Sequence, residues 1–223
     1  MKKFQKFLAC LICSILLTTL PALADKKDEA QALYDLGYAY ANGNGVERDI
    51  NEAFKFYKKA AEKGHKEAQF LMGVMYDEGI GTRRNKSEAL KWFQKSAKQG
   101  LAKAQYNVGF MYQKGDGVKQ NFPEAAKWYR KAAEQGLAEA QHNLGCMYGR
   151  GEGVKQNFSE AVRWYRKAAE QNLPQAQYNL GLSYYNGDGI TKNLSEALKW
   201  WRMAANQGDY DSQRVLTELG ETW

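Results

Sequence analysis

The chain has 223 residues, with 32 Lys plus Arg against 25 Asp plus Glu, a net charge of +7, and three cysteines. Its basic residues are interspersed with acidic ones and no basic block stands out, which excludes a nucleic-acid footprint. Only two histidines are present, His65 and His142, at unlike positions in the sequence pattern, which argues against a His-based metal site or catalytic triad.

The first element is a leader. Lys2, Lys3 and Lys6 precede an apolar run from Phe7 to Leu17, and Ala22, Leu23 and Ala24 stand just before Asp25. A basic stretch, an apolar core and an A-x-A site make a secretory signal peptide over 1–24. Export to the periplasm or beyond is therefore expected, with cleavage after Ala24 and a short linker over 25–29. An uncleaved anchor fits less well, because the apolar core is shorter than the roughly 20 residues a span needs. No integral span is expected after cleavage. Cys10 and Cys13 precede most of the apolar run, against lipoprotein anchoring. Loss of the leader lowers Lys plus Arg from 32 to 29 and the net charge to +4, and leaves Cys146 as the sole cysteine. An intrachain disulfide is then impossible. Cys146 could pair with a second molecule, but its place in the repeat favours a small buried hydrophobe.

Beyond the leader, Gly37, Gly73, Gly109, Gly145 and Gly181 recur every 36 residues, each within a block that repeats its neighbours. A fixed period in this range means stacked supersecondary units, each burying its apolar face only against adjacent ones. The expected fold is an all-α solenoid of five antiparallel helix pairs, with repeats at about 32–67, 68–103, 104–139, 140–175 and 176–211.

Each repeat opens with a helix that is apolar on several faces, such as Ala104 to Tyr112, and so is buried on more than one side. A glycine inside it costs about 1 kcal/mol relative to alanine, so its recurrence implies the close approach of another helix. The small partners expected across the pair are Ala53, Ala89, Ala125, Ala161 and Ala197, with Ala61, Ala97, Ala133, Ala169 and Ala205 further along. A Gly-x-Gly turn follows, as at Gly115 and Gly117. It lacks the third glycine and the Lys-Ser pair of a phosphate loop, and helix termination in a left-handed conformation explains it. The second helix opens with Asp49 and Glu52, Asn85 and Glu88, Asn121 and Glu124, Asn157 and Glu160, or Asn193 and Glu196, a capping-box pattern. Paired aromatics follow, Phe56 with Tyr57 through Trp200 with Trp201, read as mostly core. The helix ends at Gly64, Gly100, Gly136 and Gly208, with Asn172 replacing the glycine once. His65, just after Gly64, reads as solvated. A last helix from Tyr210 to Leu219 repeats only the opening half of a unit and reads as a cap.

The pattern A-x-x-x-L-G-x-x-Y, Gly-x-Gly, then E-A-x-x-W-Y-x-K-A-A-x-x-G resembles the Sel-one-like repeat family, relatives of the tetratricopeptide repeats, over Glu29 to Asp209. The resemblance implies a right-handed superhelix that serves as a scaffold for protein interactions, with the first helices lining its concave face. Helical spacing then places Tyr106, Phe110 and Gln113 on one stripe, away from the Gly109 side. Its first row is Tyr34, Phe70, Tyr106, His142 and Tyr178, and its second is Tyr38, Val74, Phe110, Cys146 and Leu182. The rim is Asn42, Glu78, Lys114, Arg150 and Asn186. Asn107, Asn143 and Asn179 resemble the asparagines by which tetratricopeptide grooves hold a ligand backbone, although Asp35 and Leu71 break that row.

These residues form an expected aromatic groove for an extended peptide or a partner helix. The competing reading packs both rows between adjacent first helices. An exported, monomeric adaptor for a protein or peptide is the leading expectation, with no cofactor and no metal. A cell-envelope or host-interaction factor using its outer surface is second. A peptidoglycan hydrolase or β-lactamase-like enzyme comes third, because the Ser-x-x-Lys, Ser-Asp-Asn and Lys-Thr-Gly sequences are absent.

Overall fold

A computed structural model describes residues 26–223, so the leader and its cleavage after Ala24 lie outside the described residues. Eleven helices and no strand occur among the described residues. They are α1 (Lys26–Asn42), α2 (Ile50–Glu62), α3 (Lys66–Glu78), α4 (Lys86–Lys98), α5 (Ala102–Lys114) and α6 (Phe122–Glu134). There follow α7 (Ala138–Arg150), α8 (Phe158–Ala169), α9 (Pro174–Asn186), α10 (Leu194–Ala205) and α11 (Tyr210–Glu218). The chain divides into two compact units, one ending at Ala104 and one beginning at Gln105. Within each unit consecutive helix pairs pack side by side as a solenoid. Residues 26–29, expected as a linker, are instead the first turn of α1, where Asp28 and Glu29 complement the positive end of the helix.

The recurring glycine does mark close approach, but an aromatic ring stands closest to it. A Cβ on Gly109 would lie 2.8 Å from Cδ1 of Tyr129, with the Ala125 carbonyl next at 3.2 Å. Gly145 faces Tyr165 and the Ala161 carbonyl in the same way. The small alanine lets the backbones approach, and the second aromatic of each pair fills the notch that the glycine leaves. Tyr57, Phe93, Tyr129, Tyr165 and Trp201 are accordingly all buried.

Turn chemistry follows the sequence closely. Gly79, Gly151 and Gly187 cap their helices in the left-handed region. Asn172, at φ 63°, is the single non-glycine with positive φ among the described residues. Helix termination does not account for both glycines of the turn: a Cβ on Gly153 would run into the backbone of Phe122 and Pro123 in the preceding repeat. That second glycine admits a neighbouring chain.

The second helices are capped on one side only of the expected box. Asn121 Oδ1 accepts from the Glu124 N–H at 3.1 Å, and Asp49, Asn85, Asn157 and Asn193 do the same for their glutamates. The Asn121 N–H goes instead to the Tyr112 carbonyl at 2.9 Å. Glu124, free of that task, pairs with Lys127 at 3.5 Å, as Glu52 pairs with Lys55 and Glu160 with Arg163. Each Asx cap contributes about 1 kcal/mol.

Buried glutamines lock the repeats together. Gln141 donates from Nε2 to the Ala133 carbonyl of the preceding repeat at 3.1 Å, and its Oε1 accepts from Gln171 of its own repeat at 2.8 Å. Gln177 repeats both bonds with Ala169 and Gln207, and Gln69 repeats them in the first unit with Ala61 and Gln99. On α11, Ser212 and Leu216 are fully buried, while Thr217, standing where glycine would be, is exposed. Among the described residues no helix follows α11 to crowd it.

Candidate functional site

On the first helices the two predicted rows differ in exposure. In the first unit Tyr34 packs on Tyr57, ring centroids 5.7 Å apart, and stacks on His65 at 4.5 Å. Phe70 packs on Phe93 at 5.6 Å, and Tyr38 is 51% exposed. In the second unit Tyr106 packs on Tyr129 at 5.6 Å and His142 on Tyr165 at 6.0 Å. Tyr178 is half-buried, and its backbone carbonyl accepts from Trp201 Nε1 at 3.1 Å.

The first row therefore does not point away from the glycine. Tyr106 and Gly109 are three residues apart, which makes them neighbours on the helix surface. The ring that fills the Gly109 notch also supports Tyr106, and Tyr34, Phe70 and His142 pack on the corresponding ring of their own repeats. Of the second row, Tyr38 and Phe110 (38% exposed) stand out, while Cys146 and Leu182 are half-buried against the core of the second unit. All five rim residues, Asn42, Glu78, Lys114, Arg150 and Asn186, are exposed. Lys114 Nζ lies 5.8 Å from the Phe110 ring centre.

The asparagines are held by the stripe itself. Asn143 acts on the Tyr106 and Tyr129 phenols, opposing the rise that burial causes, and the Tyr129 hydroxyl donates to Gln113 Oε1 at 2.8 Å. Asn179 Nδ2 lies 2.8 Å from His142 Nε2 and 3.7 Å from Cys146 Sγ. Asn107 is half-buried. Burial raises the Tyr106 and Tyr178 phenols, lowers the His142 imidazole and raises the Cys146 thiol. At neutral pH these groups are uncharged. The surface can stack on apolar groups and exchange hydrogen bonds, but it presents no activated nucleophile.

His65 is not solvated as its position after Gly64 suggests. It caps α3, its Nδ1 accepting from the Ala68 N–H at 3.2 Å, and its Nε2 meets Gln31 Oε1 at 3.0 Å. Sequence spacing also missed Tyr185, 37% exposed and packed on Trp201 at 5.5 Å. It stands seven residues beyond Tyr178, where Gln113 stands relative to Tyr106. A shallow cavity of about 600 Å³ opens elsewhere in the second unit, lined by Arg130, Tyr148, Val154, Lys155, Gln156, Asn157 and Glu160. Among the described residues no three His, Cys, Asp or Glu side chains converge to hold a metal, and no helix is long and apolar enough to cross a membrane.

The Sel1 repeat model matches five times, at residues 30–65, 66–101, 102–137, 138–173 and 174–209. The period equals that read from the glycines, with each boundary two residues earlier. A similar solved structure is that of a protective antigen present in uropathogenic Escherichia coli strains, which displays an SLR fold. It is 41% identical with a TM-score of 0.79, over 82% of this chain and 39% of the antigen. The chain thus spans about two-fifths of that relative's length. A Sel1 repeat protein from Oxalobacter formigenes is 37% identical with a TM-score of 0.80, over 89% of this chain and 82% of that one. A putative Sel1 repeat protein from Klebsiella pneumoniae, 17% identical with a TM-score of 0.51, shares the fold. No curated protein matches. Sel1-repeat proteins generally serve as scaffolds for protein–protein interactions, and with five tandem copies across its helices this chain belongs to the Sel1 repeat family.

Proposed function

We propose that the protein is an exported adaptor that holds a protein or peptide segment on the stripe of its first helices. The observation that carries this reading is the combination of an anchored first row with exposed Tyr38 and Phe110. Rings fixed from behind by Tyr57 and Tyr129 lose little rotamer freedom on binding, which favours them as contact residues. The partner has apolar side chains to lie against these rings and polar groups to meet the rim. The proposed contact residues are Tyr34, Tyr38 and Phe70 in the first unit, and Tyr106, Asn107, Phe110, His142, Asn143, Tyr178, Asn179 and Leu182 in the second. The neutral, hydrogen-bonded character of that surface favours binding over catalysis. Nitrocefin or peptidoglycan turnover by the purified protein would reopen the enzyme class.

The binding test is the pair Tyr106→Ala and Phe110→Ala combined. Loss of captured partner, with thermal melting still cooperative, supports the reading. Unchanged capture in a folded variant refutes it. Export rests on the leader pattern alone, and N-terminal sequencing of protein from the cell envelope should begin at Asp25. A second reading, interaction with a host through the outer surface, draws its support from the uropathogenic relative described as a protective antigen. Capture that survives loss of the aromatic stripe would favour it.

A further inference from the structure

The cavity of about 600 Å³ in the second unit lies where the third and fourth repeats meet, and none of its lining residues belongs to the aromatic stripe. Arg130 reaches it from α6, Tyr148 from α7 and Glu160 from α8, while Val154 and Lys155 come from the turn between the last two. Arg130 Nη2 donates to the Tyr148 hydroxyl at 2.7 Å. That bond fixes the guanidinium with most of its N–H donors uncommitted and leaves the phenol its own proton to donate. Glu160 is already paired with Arg163, Nη2 to Oε2 at 2.9 Å. Gln156 is committed to the Gly149 carbonyl and Asn157 to the Glu160 N–H. Among the described residues no carboxylate forms an ion pair with Arg130 or Lys155, so the cavity carries two cations whose charge is unbalanced.

This combination is confined to one junction. The corresponding positions hold Lys58 and Arg83, Gln94 and Lys119, and Arg166 and Thr191. Lys58 is paired with Glu62 at 4.0 Å. Arg166 donates to the Tyr184 hydroxyl at 2.8 Å as Arg130 does to Tyr148, but a threonine stands where Lys155 would be. The arginine–tyrosine contact is therefore a recurring structural device, and the added lysine is what sets this cavity apart.

A planar guanidinium matches the two oxygens of a carboxylate with parallel N–H bonds. Val154 and the Tyr148 ring supply apolar surface beside it, and Glu160 disfavours a dianion such as phosphate while offering an acceptor to an amide N–H. We propose that the cavity binds a carboxylate of a partner peptide, with Arg130 forked onto its two oxygens and Lys155 supplying the second positive charge. The site stands whether or not the stripe binds a partner.

The test uses the full chain at low salt, followed through the backbone amide resonances of Val154 and Lys155. The probes are acetyl-Gly-Ala-Val-Ala as the free acid, the same peptide as its C-terminal amide, and acetyl-Gly-Glu-Val-Ala amide. A saturable shift with the free acid supports a chain end as the source of the carboxylate, and one with the Glu peptide supports a side chain. The plain amide should give none. Arg130→Gln, matching Gln94, should weaken binding at least about tenfold, and Lys155→Thr, matching Thr191, should weaken it too. Arg166→Gln should leave it unchanged. Arg130→Lys, which keeps the charge and loses the fork, serves if the glutamine variant melts early. No saturable shift with either carboxylate, an equal shift with the plain amide, or tighter binding of inorganic phosphate than of acetate overturns the proposal. So does undiminished affinity in a folded Arg130 variant, or equal weakening by Arg166→Gln.

Discussion

Gly109 illustrates how one missing methyl organises a repeat. Alanine there would gain about 1 kcal/mol of helix propensity. Its Cβ would also lie 2.8 Å from a fully buried tyrosine ring that has no room to retreat. Overpacking of this kind costs about 1–3 kcal/mol. Gly109→Ala is therefore expected to destabilise the protein by about 1 kcal/mol net, measurable by chemical denaturation; stabilisation would show that the ring moves aside. The glycine itself was legible as a recurring cost inside a helix. Its partner was not, because an i, i+3 spacing on one helix does not say which ring of the facing helix fills the notch.

His65 carries a pH signature. Burial lowers its pKa from 6.5, with Glu67 and Asp35 opposing the shift and Lys66 adding to it. The unfolded chain therefore binds a proton more readily than the folded one. This contribution to stability is complete above about pH 6.5 and declines as the pH falls below it. The thermal midpoint should drop between pH 7.5 and 5, and His65→Leu, matching Leu101 and Leu137, should shrink that drop. An equal drop in the variant would contradict the assignment. Sequence position suggested a solvated loop residue, since the stacking of His65 on Tyr34 across 31 positions depends on how the helices meet.

Among helices, the junctions are the informative feature. Alanine and glutamine recur together at Ala68 and Gln69, Ala140 and Gln141, Ala176 and Gln177, so the repetition was visible in the sequence, but its chemistry was not. A polar residue at a repeat position reads equally well as a solvated face. In the structure Gln141 is 4% exposed and joins two repeats through its amide. Gln141→Ala removes both bonds, at about 0.5–1.5 kcal/mol each, while the Ala133 carbonyl keeps the Gly136 N–H and the Gln171 amide keeps the Lys167 carbonyl. Gln120→Ala removes only an exposed bond to the Gln113 carbonyl and should cost far less. Comparable denaturation midpoints for the two variants would show that the glutamine ladder contributes little. The Asx caps of the second helices, by contrast, were readable, because an N-cap of that kind is a local device that depends on residues three apart, although the reciprocal half of the box and the His65 cap were not.

For the molecule as a whole, helix content and period followed from the sequence, since each is set by local chemistry repeated five times, and so did a helix after the fifth repeat. The binding face was legible only as a set of candidates. Periodicity assigns residues to a side of a helix, but the split between the anchored Tyr106 row and the exposed Tyr38 and Phe110 depends on contacts from a second helix. The central claim is that partners dock on this stripe. The most direct measurement places a photo-crosslinking benzoylphenylalanine at Phe110 and, separately, at Lys127 on the exposed side of α6, and compares the adducts formed with a captured partner. Docking on the stripe predicts a covalent adduct from position 110 and none from 127. Adducts from 127 with none from 110, in protein that melts normally, would contradict it.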